Sequence, residues 1–355
     1  MRKLTSFTTG IVVIIALLWA TSFVLQQQSG DVSDKLVIYN WGDYIDPDLL
    51  KAFTQKTGIK VQYETFDSNE AMYTKINQGG TTYDIAIPSD YTIDKMIKED
   101  LVIKLDKSKI KGLEHIGTAF MGKSFDPNND YSIPYFWGTV GIVYNQKQLE
   151  TYPEHWSDLW RPEYKDSIMM VDGAREVLGI GLNRLGYSLN SQDMRELNQA
   201  EQSLNQLTPN IKALVGDELK GYMIQGDAPI GVTFSGEASE MLSENEDLVY
   251  VVPTEGSNLW FDNMVIPKTA KHLKEAYQFI NFMLEPQNAA QNAEYIGYAT
   301  PNDAAKALLP KEIREDLAFY PNHDTIDHLE VYDNLGPKWL GIYNDLYLQI
   351  KMYRK

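Results

Sequence analysis

The chain contains no cysteine. Disulfides, cysteine-type zinc sites, iron–sulfur clusters, thiol catalysis and a cysteine-anchored lipid are therefore excluded together. Histidine is scarce, with five in 355 residues. His115, His155, His272, His323 and His328 lie outside any HExxH context, and the last two, five apart, would not share a helical face. They read as surface or loop residues, so no zinc or iron site is supported. A Ser/His/Asp triad has equally little to recruit from, and Thr233-Phe-Ser235-Gly236 lacks the first glycine of a nucleophile elbow. No P-loop occurs. Gly179-Ile-Gly181-Leu-Asn-Arg184 begins like a dinucleotide fingerprint, but Arg184 stands where its third glycine belongs, inside a helical pattern. Carboxylates are abundant, yet no pair is singled out for glycosidase work. The expectation is a protein that is not an enzyme and carries no cofactor.

Positive charge is also short: 32 Lys and Arg face 49 Asp and Glu, a formal net of −17. Such a surface repels phosphate backbones and anionic headgroups, which argues against nucleic-acid and polybasic membrane roles and favours cationic partners. Hydrophobic residues reach 43% and aromatics 12%, too rich for a disordered chain and enough for two ordinary domains.

Arg2 and Lys3 precede an uncharged run from Leu4 to Gln26, with its apolar heart at Gly10 to Leu25. That layout is an export signal covering residues 1–30. Ala20 and Ser22 offer a small-x-small cleavage site, while the apolar heart with its flanks is also compatible with retention as a membrane anchor. Both outcomes place the body outside the cytoplasmic membrane. Removing the segment deletes Arg2 and Lys3 and no acid, carrying the charge from −17 to −19.

The body opens with an apolar strand, Leu36 to Tyr39. A helix follows, with Asp46 as N-cap, Pro47 at N1 and Gly58 as its stop. Ile59 to Thr65 alternates as a strand, Ser68 caps a second helix ending at Gly79-Gly80, and Asp84 to Ile87 is the next strand. This βαβαβ rhythm predicts an α/β lobe with a mostly parallel sheet, whose ligands bind beyond the carboxyl ends of strands. Those ends are Asn40 to Tyr44 and Pro88 to Tyr91, both polar and aromatic. A second α/β pattern has strands at Gly141–Tyr144, Ile168–Val171, Ile230–Phe234, Leu248–Val252 and Asn263–Ile266. Helices are expected from Gly173, through Met194 to Leu207, near Glu237 to Leu242, from Ala276 to Leu284 and from Lys338 to Tyr353. There is no repeat, no low-complexity tract and no Pro/Gly/Ser linker, so strands rather than a tether should join the lobes.

An aromatic beside a carboxylate at a turn recurs: Trp41 and Tyr44 around Asp43, Asp90-Tyr91, and Trp260-Phe-Asp262. Asp172-Gly-Ala-Arg-Glu176 opens a helix, and Tyr298 follows Gly297. An ammonium is costly to desolvate unless a charged acceptor meets it, and methylenes want an apolar wall. Indole and phenol faces serve both needs. A cleft walled by aromatics with carboxylates at both ends is matched to a small polycation. The bland alternatives stay open at this level: Trp41 and Trp260 as core aromatics, Asp172 as an N-cap, Asp43 and Asp90 as turn residues.

Several longer runs carry a resemblance. Tyr39-Asn-Trp-Gly-Asp-Tyr44, Phe66-Asp-Ser-Asn-Glu-Ala-Met-Tyr73 and Ser124-Phe-Asp-Pro-Asn-Asn-Asp-Tyr-Ser-Ile-Pro-Tyr135 are similar to the spermidine/putrescine-binding proteins of bacterial polyamine ABC importers. So are Trp160-Arg-Pro-Glu-Tyr-Lys165, Asp172-Gly-Ala-Arg-Glu-Val177, Trp260-Phe-Asp262 and Ile296-Gly-Tyr-Ala-Thr-Pro-Asn302. The resemblance runs from about Leu36 to the C-terminus. It implies a two-lobed α/β fold of the periplasmic-binding-protein type (class II), whose lobes close over one polyamine, spermidine or putrescine. Lobe 1 is expected at 35–138 plus 261–307 and lobe 2 at 139–260 plus 308–355, with hinge strands crossing near Gly138 and Trp260 and again near Ala307. A monomer delivering its ligand to ABC permease subunits is implied. The alternative is an extracellular receptor for another small cationic or polar solute.

Carried over by position, Trp41, Asp43 and Tyr44 match the first-lobe wall, and Ser89 with Tyr91 the second loop. Glu176 matches a carboxylate that meets an amine, Asp262 the central acid, and Trp260 and Tyr298 the aromatic walls. Three positions depart from the family pattern. Gly173 stands where an acid is common, with Asp172 one residue earlier; Phe234 replaces a tryptophan; Tyr332 stands where a glutamine is expected. All three touch the far end of the implied ligand.

Overall fold

The structure, a computed structural model, describes residues 35–216 and 218–353. The segment 1–30 read as a signal or anchor lies outside the described residues. Among the described residues no helix is long and apolar enough to cross a membrane.

Strands β1 (Lys35–Trp41), β2 (Lys60–Phe66) and β3 (Ile85–Ala86) pair in parallel, with β1 in the middle. The connecting helices form where their caps dictate. Helix α1 (Pro47–Thr57) starts at Asp46, whose carboxylate accepts from the Asp48 N–H at 2.9 Å, and stops at Gly58 in the left-handed region, φ 76°. Helix α2 (Asn69–Gln78) starts at Ser68, whose Oγ accepts from the Ala71 N–H at 3.2 Å. Leu49 and Phe53 of α1 and Met72 and Ile76 of α2 are buried. Helix α3 (Asp90–Lys98) then leaves the end of β3.

The molecule turns on one long strand. β4 (Ser132–Asn145) has every residue buried. Further along come β5 (Ile168–Val171), helix α4 (Ala174–Arg184), helix α5 (Met194–Leu207) and β6 (Ile211–Val215). Helix α6 (Glu218–Gln225), β7 (Ile230–Phe234), helix α7 (Ser235–Glu244), β8 (Leu248–Val251) and β9 (Leu259–Val265) follow. The first half of β4 pairs antiparallel with β9, from Ser132 against Val265 to Thr139 against Leu259. From Val140 onward it pairs instead with β7 and β8. Strands β4 and β9 thus run in opposite directions between two groups of strands. A third connection is the bridge of Asn258 to Glu330, where the Leu259 N–H donates to the Glu330 carbonyl at 2.9 Å.

The sheets are mixed rather than mostly parallel. β1 with β2 and β3, and β5 with β6 and β7, are parallel, while every pairing of β4 and β9 is antiparallel. Two strands that pass between lobes in opposite senses can pair in no other way. Pro134 sits in β4 at a register shift, where its missing N–H costs no ladder bond.

Two main cores lie on either side of the switch. One gathers Ile38, Phe53, Ile85, Phe136, Phe261 and Phe279; the other gathers Ile142, Leu178, Leu204, Ile230 and Tyr343. A third cluster around Met223, Met241 and Tyr250 covers the other face of β7 and β8. Leu309 and Tyr320 pack in the first core, whereas Leu335, Tyr343 and Ile350 pack in the second. The chain passes from the first core to the second between Tyr320 and Leu335.

Candidate functional site

The carboxyl ends of β1 and β3 and the start of β9 converge on Asp262. It is only 6% exposed, and both of its oxygens accept from hydroxyls. Ser89 Oγ donates to Oδ1 at 2.6 Å and the Tyr44 hydroxyl to Oδ2 at 2.6 Å. Ser89 is the N-cap of α3 but makes no side-chain cap bond, because its hydroxyl turns to Asp262 instead. Asn69, at the start of α2, holds this corner: its Nδ2 donates to Ser89 Oγ and to the Tyr91 hydroxyl, both at 3.0 Å, and its Oδ1 accepts from the Ser89 N–H at 3.0 Å. Burial pushes the Asp262 carboxyl up to about 6, while the Ser89 and Tyr44 hydroxyls pull it back.

A second acid lies beside it. Asp90 is 1% exposed and accepts from the Tyr91 N–H at 2.7 Å and the Phe261 N–H at 3.2 Å. Burial pushes its carboxyl up to about 8, and the neighbouring Asp262 charge adds to the rise. Two buried acids with only neutral hydrogen-bond donors in contact lie here without a cation against either of them.

Aromatic rings continue from this acid pair toward the second lobe. Tyr298 meets Tyr44 edge-on at 5.3 Å between centroids and Trp260 at 5.5 Å, and Trp260 meets Phe234 edge-on at 6.4 Å. The Tyr298 ring lies against Gly236 of α7 so closely that a Cβ there would overlap it. Trp41 packs on Phe66 at 4.6 Å. The indole N–H groups of Trp41 and Trp260 are buried with no hydrogen-bond partner among the described residues, so these side chains act through their ring faces.

The opposite wall is the start of α4. The Glu176 carboxylate folds back over Gly173, where any Cβ would collide with it, and takes a bond from its own backbone N–H. Burial pushes it up, against the pull of that N–H and of Arg175. Arg175 is held on the second-lobe side, donating to Asn190 Oδ1 at 2.7 Å and to the Leu189 and Asp333 carbonyls at 3.2 Å. Its guanidinium lies 4.2 Å from the centre of the buried Tyr332 ring. Burial raises the Tyr332 hydroxyl well above the phenolic range, with Glu176 and Asp90 adding to the effect and Arg175 opposing it. The two walls therefore face each other.

The structure brings together Tyr44, Ser89, Tyr91, Trp260, Asp262 and Tyr298, with Glu176, Gly173, Phe234 and Tyr332 on the facing side. Two expected residues stand apart. Asp172 is exposed and turned to the C-terminal helix Gly336–Tyr353, bonded to the Tyr347 hydroxyl and, at 2.9 Å, to Lys351 Nζ. Partial burial raises its carboxyl, but those two donors outweigh it and leave it below the usual range. Asp43 is exposed in a turn at φ 46°, a conformation that Asp tolerates better than most residues. Sequence reasoning missed three members: Asn69, Arg175 and Asp90 as a buried acid. Asp90 carried a signal, an acid beside an aromatic just past a strand, but the same signature marks an ordinary turn.

The model for bacterial extracellular solute-binding proteins matches residues 48–321. The chain is 40% identical over 326 residues to the spermidine/putrescine-binding periplasmic protein of Escherichia coli strain K12, covering 91% of this chain and 93% of that one. It is 30% identical over 344 residues to the putrescine-binding periplasmic protein SpuD of Pseudomonas aeruginosa, covering 92% and 94%. Among solved structures, the spermidine/putrescine ABC transporter substrate-binding protein PotD of Streptococcus pneumoniae matches with a TM-score of 0.88 and 68% identity, covering 91% of this chain and all of that one.

Proposed function

Since the chain belongs to the bacterial extracellular solute-binding protein family, we propose that it is the substrate-binding receptor of a polyamine ABC importer. It binds a solute and transforms none, as its relatives do. Its ligand is spermidine or putrescine, held between lobes that close over it. The protein works outside the cytoplasmic membrane as a monomer and hands the ligand to ABC permease subunits. The lobes are taken as 35–138 plus 261–320 and 139–260 plus 335–353, following the cores in which Tyr320 and Leu335 pack.

Asp262 carries the reading. A buried carboxylate whose oxygens already accept two neutral hydroxyl bonds has its charge uncompensated, and an arriving ammonium supplies the missing partner. Trp260, Tyr298 and Tyr91 offer ring faces to the methylenes, each cation–π contact contributing about 0.5–2 kcal/mol. Glu176 on the facing lobe takes the other amine. Tyr44 and Ser89 orient Asp262, Trp41 and Asp43 border the entrance, and Phe234 and Tyr332 line the far end. Asp172 is assigned to the C-terminal helix rather than to the ligand.

A thermal-shift and calorimetry panel tests this. Ligand at 100 times its Kd adds about 2.7 kcal/mol, or roughly 5 °C for a chain of this size. Putrescine or spermidine should produce that shift and sugars or neutral amino acids none; the reverse result ends the proposal.

Gly173 gives a second test. Substituting Gly173→Ala should move the Glu176 carboxylate off its own N–H and cost about 0.5–1 kcal/mol at the helix start. Polyamine affinity should drop by more than that figure, since the displaced group is one the ligand uses. Urea midpoints and titration calorimetry on the same preparation separate the two effects. Equal affinity for both proteins would remove Glu176 from the site.

A further inference from the structure

Beside Asp262 lies a buried acid, Asp90, that the proposed ligand contacts do not use. Asp90 takes its two short bonds from backbone N–H groups, and one of those belongs to Phe261, the residue immediately before Asp262. Ser89, its other neighbour, donates to Asp262 and is bridged to it backbone to backbone. The two acids are therefore anchored to adjoining residues of one corner, at 1% and 6% exposure, with every contacting donor neutral. Like charges in so dry a place cannot both persist.

We propose that Asp90 and Asp262 together hold one proton in the empty cleft, and that an arriving ammonium expels it, so that ligand capture releases a proton to solvent. The proposal rests on the polyamine reading for the identity of the expelling cation, not for the existence of the shared proton. The groups facing the pair support it. Tyr44, Tyr135 and Tyr298 pack from the first-lobe side, and burial pushes the Tyr44 and Tyr135 hydroxyls far up, so those two stay neutral. Tyr91 lies on the same helix as Asp90 and is raised as well. Across the cleft are Glu176, an additional acid, and Arg175, a cation already committed to Asn190, Leu189 and Asp333 and acting on Asp90 only at a distance. Buried carboxyls at about 6 and about 8 bracket neutral pH, so the pair carries one proton there as a unit. An ammonium against Asp262 adds the positive charge the pair lacks and drives the proton off Asp90.

Two consequences have fixed signs. Both carboxyls titrate above their unfolded value, so the folded state binds more protons and the empty protein loses stability as pH rises through about 6 to 8. Ligand affinity moves oppositely, tightening by up to roughly tenfold per pH unit while a whole proton is expelled, and levelling above about 8.

Calorimetry of putrescine and spermidine binding at pH 7, in buffers of different ionisation enthalpy, counts the protons. A release approaching one per ligand, with Kd improving from pH 6 to 8, is expected. In Asp90→Asn the release should fall close to zero and the pH dependence flatten. No release and a flat Kd in the unsubstituted protein overturn the inference, as does full release by Asp90→Asn. Carboxyl carbon NMR on the free protein decides the matter without a ligand: one aspartate titrating above pH 6 supports the shared proton, and all of them titrating near 4 refutes it. A protein that shows the former yet binds no polyamine would keep the proton and lose the polyamine reading.

Discussion

Asp262→Asn is expected to weaken polyamine binding by two to three orders of magnitude while leaving the empty protein folded. Asparagine keeps the shape of the side chain and one of its acceptor positions for Ser89 or Tyr44. It removes the charge that makes ammonium desolvation tolerable. Breaking one partner of a buried ion pair costs about 3–5 kcal/mol, and each 1.4 kcal/mol is tenfold in Kd. The empty protein behaves differently, because in it Asp262 is a buried acid with no cation in contact. Its carboxyl is raised by burial, so it withdraws stability as pH climbs through about 6. The asparagine variant should therefore melt at or above the parent temperature at pH 8, yet show no shift on adding putrescine. Melting curves with and without ligand at pH 5 and pH 8 check both halves. A variant that still binds tightly would show that another group neutralises the ammonium, and the whole site assignment would move with it.

How far the sequence revealed this arrangement depended on whether the signal was local. The caps Asp46 and Ser68, the stops Gly58 and Gly79, and strand β7 stand where the residues predict, since caps and short apolar runs act within a few positions. Strand β4 was legible only in its second half. Pro134 disguised the first half, and its compatibility with the strand comes from a register shift against β9 that no local pattern records. The mixed pairing of the sheets is likewise a property of which lobe each strand enters. At the site, Asp262 and the aromatic walls were readable because their chemistry and the resemblance pointed the same way. Asp172 and Asp90 were not. They carry similar turn signatures, and what separates them is tertiary: Lys351 and Tyr347 draw one outward, while Phe261 and Tyr91 bury the other.

Gly236→Ala should lower the stability of the receptor and weaken its hold on the ligand. Gly236 sits in the first turn of α7, where alanine favours the helix by about 0.5–1 kcal/mol. The same methyl would occupy the space of the Tyr298 ring, which reaches Gly236 from the first lobe. The contact crosses between lobes, and Ser239 against Gly297 lies beside it, so the obstruction falls between the lobes rather than in either core. Overpacking of this kind costs about 1–3 kcal/mol, roughly 5- to 150-fold in affinity. The helix gain does not offset that cost, so the melting temperature without ligand should fall and the shift on adding ligand should shrink. Tyr298→Ala alone also weakens binding by removing a ring that walls the ligand. Combined with Gly236→Ala it should cost less than the two losses added, because the alanine then has nothing to strike. A double-mutant cycle by calorimetry measures that coupling. Strict additivity would mean that Tyr298 and Gly236 do not meet when the ligand is held, and that the lobes close along another path.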